Sequence, residues 1–380
     1  MRRLLNLPLV NKLANREGLW RRDRVVAHDY RGRAPSIASV IVPDFKPGEQ
    51  EVVICSRLLA AYRLSKSCPL PTCDVWSEIR KSQGNFLDLL DRGDPAELAA
   101  YMCNMNRQDA TIGTVQGEGE YRRITRDRAY RRFIALMTKD KLVSLAEALG
   151  VIPCENPEQG VYGESLRIDA AELVEGISRK LGIPVIPPPI DGGLLKIEAG
   201  PALYNERDLS AIFTAYTLSL YCPRSVCEIG AGSGRVAYWS HRLGIRCSIL
   251  LDLPHINVVQ GFYLLKALPD AAIRLHGEPI NDGIAILPCQ ALEAVGKIDI
   301  VLNQDSFPEI ERGAVVNYLE WIKRSASKFL SINHESKPSY SVGKTLSVPE
   351  LAADVGGLKL KSRVPYWLRK GYVMELYEFE

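Results

Sequence analysis

The sequence predicts an α/β protein: a doubly wound sheet of seven strands, finished by a C-terminal antiparallel hairpin and preceded by a mainly helical region. Three observations predict it. Strand and helix patterns alternate after about Asn205. A glycine-rich turn joins the first strand of that series to the next helix. The last two strand-like runs follow one another with a tight return and no helix between them.

At 380 residues the chain is long enough for two domains. Residues 1–47 are read as a basic, irregular lead-in; residues 1–33 alone hold nine Lys and Arg against three acids. Residues 48–204 are read as a mainly helical cap region. Val52, Leu58, Leu59 and Tyr62 share one helical face. Asp94-Pro95-Ala96-Glu97 is a helix start, with an acidic N-cap, a proline at the first position and a glutamate at the third. Asp140 to Leu149 reads as a short amphipathic helix stopped by Gly150. Asp169 to Glu172 repeats the capping pattern for a helix ending at Leu181-Gly182. Ile183 to Gly200 carries four prolines and three glycines. It reads as an ordered connector, because apolar residues interleave throughout.

Residues 205–380 are read as the sheet domain. A helix over 206–221 leads to a first strand at Ser225 to Ile229. Further strands are expected at 246–252, 284–288, 298–303 and 328–333, with helices at 234–243, 254–268 and 312–325. Such alternation implies parallel strands joined by crossover helices. Ser347-Val348-Pro349 opens another helix, and 358–365 and 372–379 form the closing hairpin.

Composition narrows the function. Hydrophobic residues make up 46% and charged residues 24%, an ordinary globular balance. A net charge of +3 is too small for nucleic acid to be the main partner. No run approaches the length of a membrane span. Leu4 to Val10 is broken by Asn6 and Pro8 and lacks a cleavage site, so it does not read as a signal peptide. Nine cysteines, scattered through core-like segments, suggest reduced thiols and a cytoplasmic protein. Their spacing does not fit a zinc site, and no metal is expected.

The chemistry centres on Glu228-Ile229-Gly230-Ala231-Gly232-Ser233-Gly234. In a doubly wound sheet the ligand lies at the carboxyl ends of the strands near the switch point, and glycines there allow close backbone approach. The spacing is G-x-G-x-G; a dinucleotide turn takes a third small residue where this chain has Arg235. Glu228 would repel a pyrophosphate on the following helix N-terminus. No Gly-Lys-Ser/Thr follows, so a P-loop is excluded. A phosphate-free ligand with positive centres fits better, and S-adenosyl-L-methionine is one. Asp252 ends the second strand, 24 residues beyond Glu228, where a carboxylate can accept from both ribose hydroxyls. The plain alternatives are a helix N-cap for Asp252 and a ligand-free tight turn for the glycines.

On these residues the chain resembles the class I S-adenosylmethionine-dependent methyltransferases. More narrowly, Glu155 to Gly160, Val226 to Tyr238, Asp252 to Leu264 and Asn303 to Glu309 resemble a bacterial family of sugar O-methyltransferases. The resemblance spans residues 140–380. It implies a seven-stranded Rossmann-like methyltransferase sheet and S-adenosyl-L-methionine as cofactor. Glu228, Gly230, Ala231, Gly232, Gly234, Asp252, Leu253, Gln290 and Asn303 are the expected cofactor-binding residues. It also implies methyl transfer to a hydroxyl of a sugar or glycosylated metabolite, and a homodimer through the N-terminal region. Gln304-Asp305 departs from the small or neutral residues expected there.

Methyl transfer to oxygen is an in-line displacement that gains from alignment and from a base within reach of the hydroxyl. His334, after the fifth strand, is the first candidate for that base. Glu309 and Asp305, after the fourth, are expected to orient it or act instead. The plain readings are an idle loop histidine for His334, a helix-start carboxylate for Glu309 and an acceptor-hydroxyl contact for Asp305. The three together would also suit Mg²⁺. Arg207 and Tyr204 read as capping or packing residues, with the donor's carboxylate as the alternative. His241 and His255 read as exposed helix residues, and Trp239, Phe262 and Tyr263 as core. The competing functions are a methyltransferase for a phenolic, polyketide-like or amine acceptor, a non-catalytic nucleotide-binding scaffold and, more distantly, a dehydrogenase.

Overall fold

The structure, a computed structural model, describes residues 35–67, 70, 74–156, 158, 164–279, 283–335 and 346–379. The basic stretch at 1–34 lies outside the described residues. The N-terminal region runs β1 (Ser39–Ile41), α1 (Glu49–Ser65), α2 (Val75–Lys81), α3 (Gly84–Arg92), α4 (Pro95–Met102), α5 (Gly117–Arg126), α6 (Arg128–Ala148), α7 (Ala170–Leu181), β2 (Leu195–Ala199) and β3 (Ala202–Tyr204). Helix α4 starts where the sequence places it: the Asp94 carboxylate accepts from the backbone N–H groups of Ala96 and Glu97, and Pro95 is the first helical residue. The short helix expected from Asp140 is instead the second half of the 21-residue α6. That helix begins at Asp127, whose carboxylate caps Ala129 and Tyr130. Its second half escapes periodicity because Thr138 to Glu147 is buried all round, charged residues included. Strand β2, inside the expected connector, pairs antiparallel with β1 and β3 in a three-stranded sheet.

The main sheet comprises β4 (Ser225–Ile229), β5 (Cys247–Asp252), β6 (Ile273–Leu275), β7 (Ile284–Pro288), β8 (Ile298–Gln304), β9 (Ala326–His334), β10 (Leu358–Pro365) and β11 (Tyr372–Phe379). Its order is β10-β11-β9-β8-β4-β5-β7-β6, parallel except for β11, which runs antiparallel to both neighbours. This is the expected doubly wound sheet with a reversed C-terminal hairpin. It has eight strands rather than seven. The extra one, β6, is a three-residue edge strand beside β7, too short to leave an alternation in the sequence. Helices α8 (Glu206–Ser219), α9 (Arg235–Arg242), α10 (Pro254–Ala267), α11 (Arg312–Ser325) and α12 (Val348–Val355) complete the fold.

Alternation along the strands divides the core. Val226, Leu250, Ile300, Leu302 and Leu330 face a large cluster that takes in α1, α4, α6, α8 and α10. Cys227, Ile229, Leu251, Val301 and Phe329 face a second cluster with α11 and α12. The N-terminal helices therefore share a core with one sheet face. His255, expected on an exposed helix face, is buried under that contact, and burial pushes its imidazole down to about 3. The seven cysteines among the described residues are free thiols. No helix among the described residues is long and apolar enough to cross a membrane.

The sheet order reverses at β4, with β5 on one side and β8 on the other. The loops after β4, β5 and β8 meet at that crevice.

Candidate active site

A cavity of about 600 Å³ occupies the crevice. Its floor is the glycine turn after β4 and the strand ends of β5 and β8. Trp76, Gly113 and Thr114 of the N-terminal region roof it, and Tyr366, Arg369 and Tyr372 of the hairpin return close one end.

Glycine is required in the turn for two different reasons. Gly230 has φ +73°, and a Cβ there would lie 2.3 Å from Ser306 Oγ. Gly234, the residue before α9, has φ +76°, and its Cβ would meet Leu264 at 3.1 Å. Gly230, Ala231 and Gly232 line the cavity, whereas Gly234 sets the packing of α9 on α10. Asn303 does not line the cavity. It is buried beneath the turn, where its amide donates to Ile229 O at 2.9 Å and to Ser306 Oγ at 2.5 Å. It acts as a strut holding the β8 loop against Gly230.

Two carboxylates face the cavity from adjacent strands. Asp252 Oδ2 accepts from the Gly232 N–H at 2.9 Å and from the Gln260 amide at 2.8 Å; Oδ1 accepts from the Leu253 N–H. Burial outweighs these bonds and raises its carboxyl to about 7. Glu228, also lining, is buried, and burial followed by the nearby Asp252 charge raises it to about 8. Two raised carboxyls side by side attract a ligand that brings positive charge or hydroxyl donors and disfavour a pyrophosphate. Leu253 and Gln290 line the same end, and Cys289 beside them bonds to Tyr318.

Behind the turn lies an enclosed ion cluster. Arg235, the first residue of α9, pairs with Asp191 at 2.6 Å and with Asp208; Lys196 pairs with Asp191 at 2.6 Å and Asp208 at 3.8 Å. All four side chains are buried. Tyr263 adds its ring face to the guanidinium, 4.7 Å away. The residue that breaks the dinucleotide spacing thus ties the connector, β2 and α8 to the helix that follows the glycine turn.

The opposite end of the cavity is rich in charge and hydroxyls. Asp305 accepts from Arg369 at 2.5 Å and from the Tyr372 hydroxyl, with Arg207 at 3.5 Å. Burial works against its ionisation, but the Arg369 and Arg207 charges prevail and hold the carboxyl below its ordinary value. Lys141, buried in α6, donates to Glu206 and Ser210 at 3.1 Å each. Its charge holds the Glu206 carboxyl down at about 2. Arg207, which also lines the cavity, pairs with Asp305 and, through its Nε, with Glu206, at 3.5 Å each. Tyr204, expected beside it, turns away, its hydroxyl bonded to Val185 O.

Of the three expected catalytic residues only Asp305 lines the cavity. Glu309 sits just behind, accepting from Trp76; burial and then the Asp305 charge raise it to about 7. His334 ends β9 opposite Tyr372 of β11, with ring centroids 5.5 Å apart, and does not line the cavity. Among the described residues no group of three or more His, Cys, Asp and Glu side chains could hold a metal ion. Sequence reasoning missed Trp76, Lys141, Tyr366, Arg369 and Tyr372. The one local signal was the density of aromatic and basic residues in Tyr366 to Tyr372, too rich for a plain hairpin return.

No protein-family model and no curated protein matches the chain. Among solved structures it is similar to the mitomycin 7-O-methyltransferase MmcR at 15% identity and TM-score 0.38, covering 87% of this chain and 95% of that one. It is similar to the pyocyanin biosynthetic protein PhzM at 17% identity and TM-score 0.33, over 41% of this chain. The chain spans 50% of the length of PhzM. The N-terminal domain of EvdMO1, solved in the presence of SAH and D-fucose, is similar at 11% identity and TM-score 0.34, covering 45% and 83%.

Proposed function

We propose that the chain is an S-adenosyl-L-methionine-dependent O-methyltransferase acting on a hydroxyl of a sugar or glycosylated metabolite. The observation that carries this reading is the Glu228–Asp252 carboxylate pair facing one cavity across the glycine turn. Glu228 would take the positive amino end of the donor. Asp252 would take the ribose hydroxyls. When bound, S-adenosylmethionine supplies an already activated methyl group. Leu253 and Gln290 would flank the adenine.

The acceptor end supports a polyhydroxyl substrate. Asp305, Arg369, Gln304, Tyr366 and Tyr372 bring donors and acceptors to a cavity that Trp76 also lines. Asp305, held as a carboxylate inside the cavity, is the group placed to accept from an acceptor hydroxyl, so our reading moves the expected role of His334 to it. A carboxyl held low is a weak base, so alignment and exclusion of water supply most of the acceleration. His334 would act through Tyr372, and Glu309 through Trp76.

The test is transfer of labelled methyl from S-adenosylmethionine to matched sets of nucleotide sugars, phenols and amines. Turnover confined to sugars supports the reading. Turnover confined to phenols or amines replaces its acceptor. Donor binding without turnover on any set makes the chain a scaffold.

A further inference from the structure

Lys141, Arg207 and Arg369 all line the acceptor end of the cavity, and two carboxylates serve the three of them. Glu206 takes Lys141 at 3.1 Å and Arg207 at 3.5 Å; Asp305 takes Arg369 at 2.5 Å and Arg207 at 3.5 Å. Among the described residues no other carboxylate pairs with any of these cations, so three positive charges against two negative leave one over.

A solvated surface tolerates such an excess, but a cavity wall does so at a cost. The Lys141 side chain is only 3% exposed. Burial pushes its ammonium below the ordinary range, and the Arg369 and Arg207 charges push the same way, against Glu206. Two of its three N–H donors are used, on Glu206 and Ser210. Cohesion of the fold does not call for Arg207 here, because each carboxylate already has a closer cation. Asp305 is set between two guanidiniums by a backbone in the left-handed region, φ +60°, where a residue other than glycine is strained.

We infer that this end of the cavity binds a carboxylate carried by the acceptor, which makes the substrate a hydroxy acid and, within the sugar reading, a uronic acid. The inference rests on the methyl-transfer reading for that molecule's role as acceptor. One excess charge matches a carboxylate better than a phosphate monoester, which carries close to two. A guanidinium takes a carboxylate through paired N–H bonds, and the Lys141 ammonium beside it has a third donor to give. Arg207 lies 3.5 Å from Asp305. The acceptor's carboxylate and the hydroxyl that Asp305 receives would therefore occupy neighbouring positions on one small molecule. Glu309 stands behind, raised to about 7 by burial and then by the Asp305 charge. It can take up a proton as the anion enters, and so does not oppose it.

The test is labelled methyl transfer to two matched pairs: methyl glucuronide with methyl glucoside, and para-hydroxybenzoate with its amide. A charged hydrogen bond should favour the acid member in kcat/KM by about 10–100-fold. That preference in the sugar pair supports both the inference and the sugar reading. The same preference confined to the aromatic pair supports the inference and replaces the sugar. Turnover without preference for the acid, in whichever pair reacts, overturns the inference while methyl transfer stands. Failure with all four acceptors, and no binding of either acid to the protein saturated with S-adenosylhomocysteine, overturns it too. S-adenosylmethionine carries a carboxylate of its own, and Arg207→Gln separates the two sources. The variant should lose about tenfold of the acid preference, Arg207→Lys should keep most of it, and S-adenosylhomocysteine affinity should stay within about twofold in both, which also shows that they fold. An unchanged preference in Arg207→Gln, or a loss confined to S-adenosylhomocysteine affinity, would assign the cations elsewhere and overturn the inference.

Discussion

Binding of S-adenosylhomocysteine should release protons and weaken steeply with acid. In the free protein Glu228 titrates at about 8 and Asp252 at about 7, both raised chiefly by burial. A ligand that donates to both needs both ionised. Each proton removed below its pKa costs about 1.4 kcal/mol per pH unit, a tenfold loss of affinity. One proton is removed between pH 8 and 7 and two below 7, so affinity should fall about 1000-fold between pH 8 and 6. Calorimetry in buffers of different ionisation enthalpy measures both the affinity and the protons released. Glu228→Gln should remove one proton from the count and flatten the upper part of the curve. The sign for the free protein follows by linkage. Carboxyls raised on folding support the fold while the unfolded chain is also protonated, and that support is lost as pH rises through 7 and 8. The free protein should therefore melt at a lower temperature at pH 8.5 than at pH 5.5. Affinity that stays flat from pH 6 to 8, with no protons released, would refute the reasoning.

Asp252→Ala should weaken donor-analogue binding by about 1–3 kcal/mol, the loss of charge-assisted hydrogen bonds, read by the same titration. Arg235→Met leaves Asp191 and Asp208 with Lys196 alone and should cost about 3–5 kcal/mol in a denaturant melt, since it strands a buried charge. Asp305→Asn should lower kcat while leaving donor-analogue affinity within about twofold, because the carboxylate lies at the acceptor end. His334→Ala, one ring removed from the cavity, should lower kcat less than Asp305→Asn in the same assay; the reverse order would return the base to His334.

The sheet was legible because its signals are local. Proline at the start of α10, the buried runs of β4 and β7 and the period of α11 each occupy a few consecutive residues. Elements that failed to show are those whose environment breaks the pattern. Thr138 to Glu147 of α6 is buried on every side, β2 mixes lysine and glutamate with its apolar residues, and β6 is three residues long. The candidate site divides the same way. Glu228, Gly230 and Asp252 sit at strand ends that the alternation locates. Lys141, Trp76 and Arg369 reach the cavity only through tertiary packing, from positions more than 60 residues away from the turn they face. Asn303 shows a third case: its position was readable, but whether its amide faces the cavity or the turn is decided by Ile229 O and Ser306 across the sheet.

The most direct measurement is a crystal structure of the complex with S-adenosylhomocysteine grown at pH 8. Density for the ribose against Asp252, with the amino end over Glu228, is the predicted result. A ligand seated elsewhere, or an NAD complex formed in preference to it, would contradict the account.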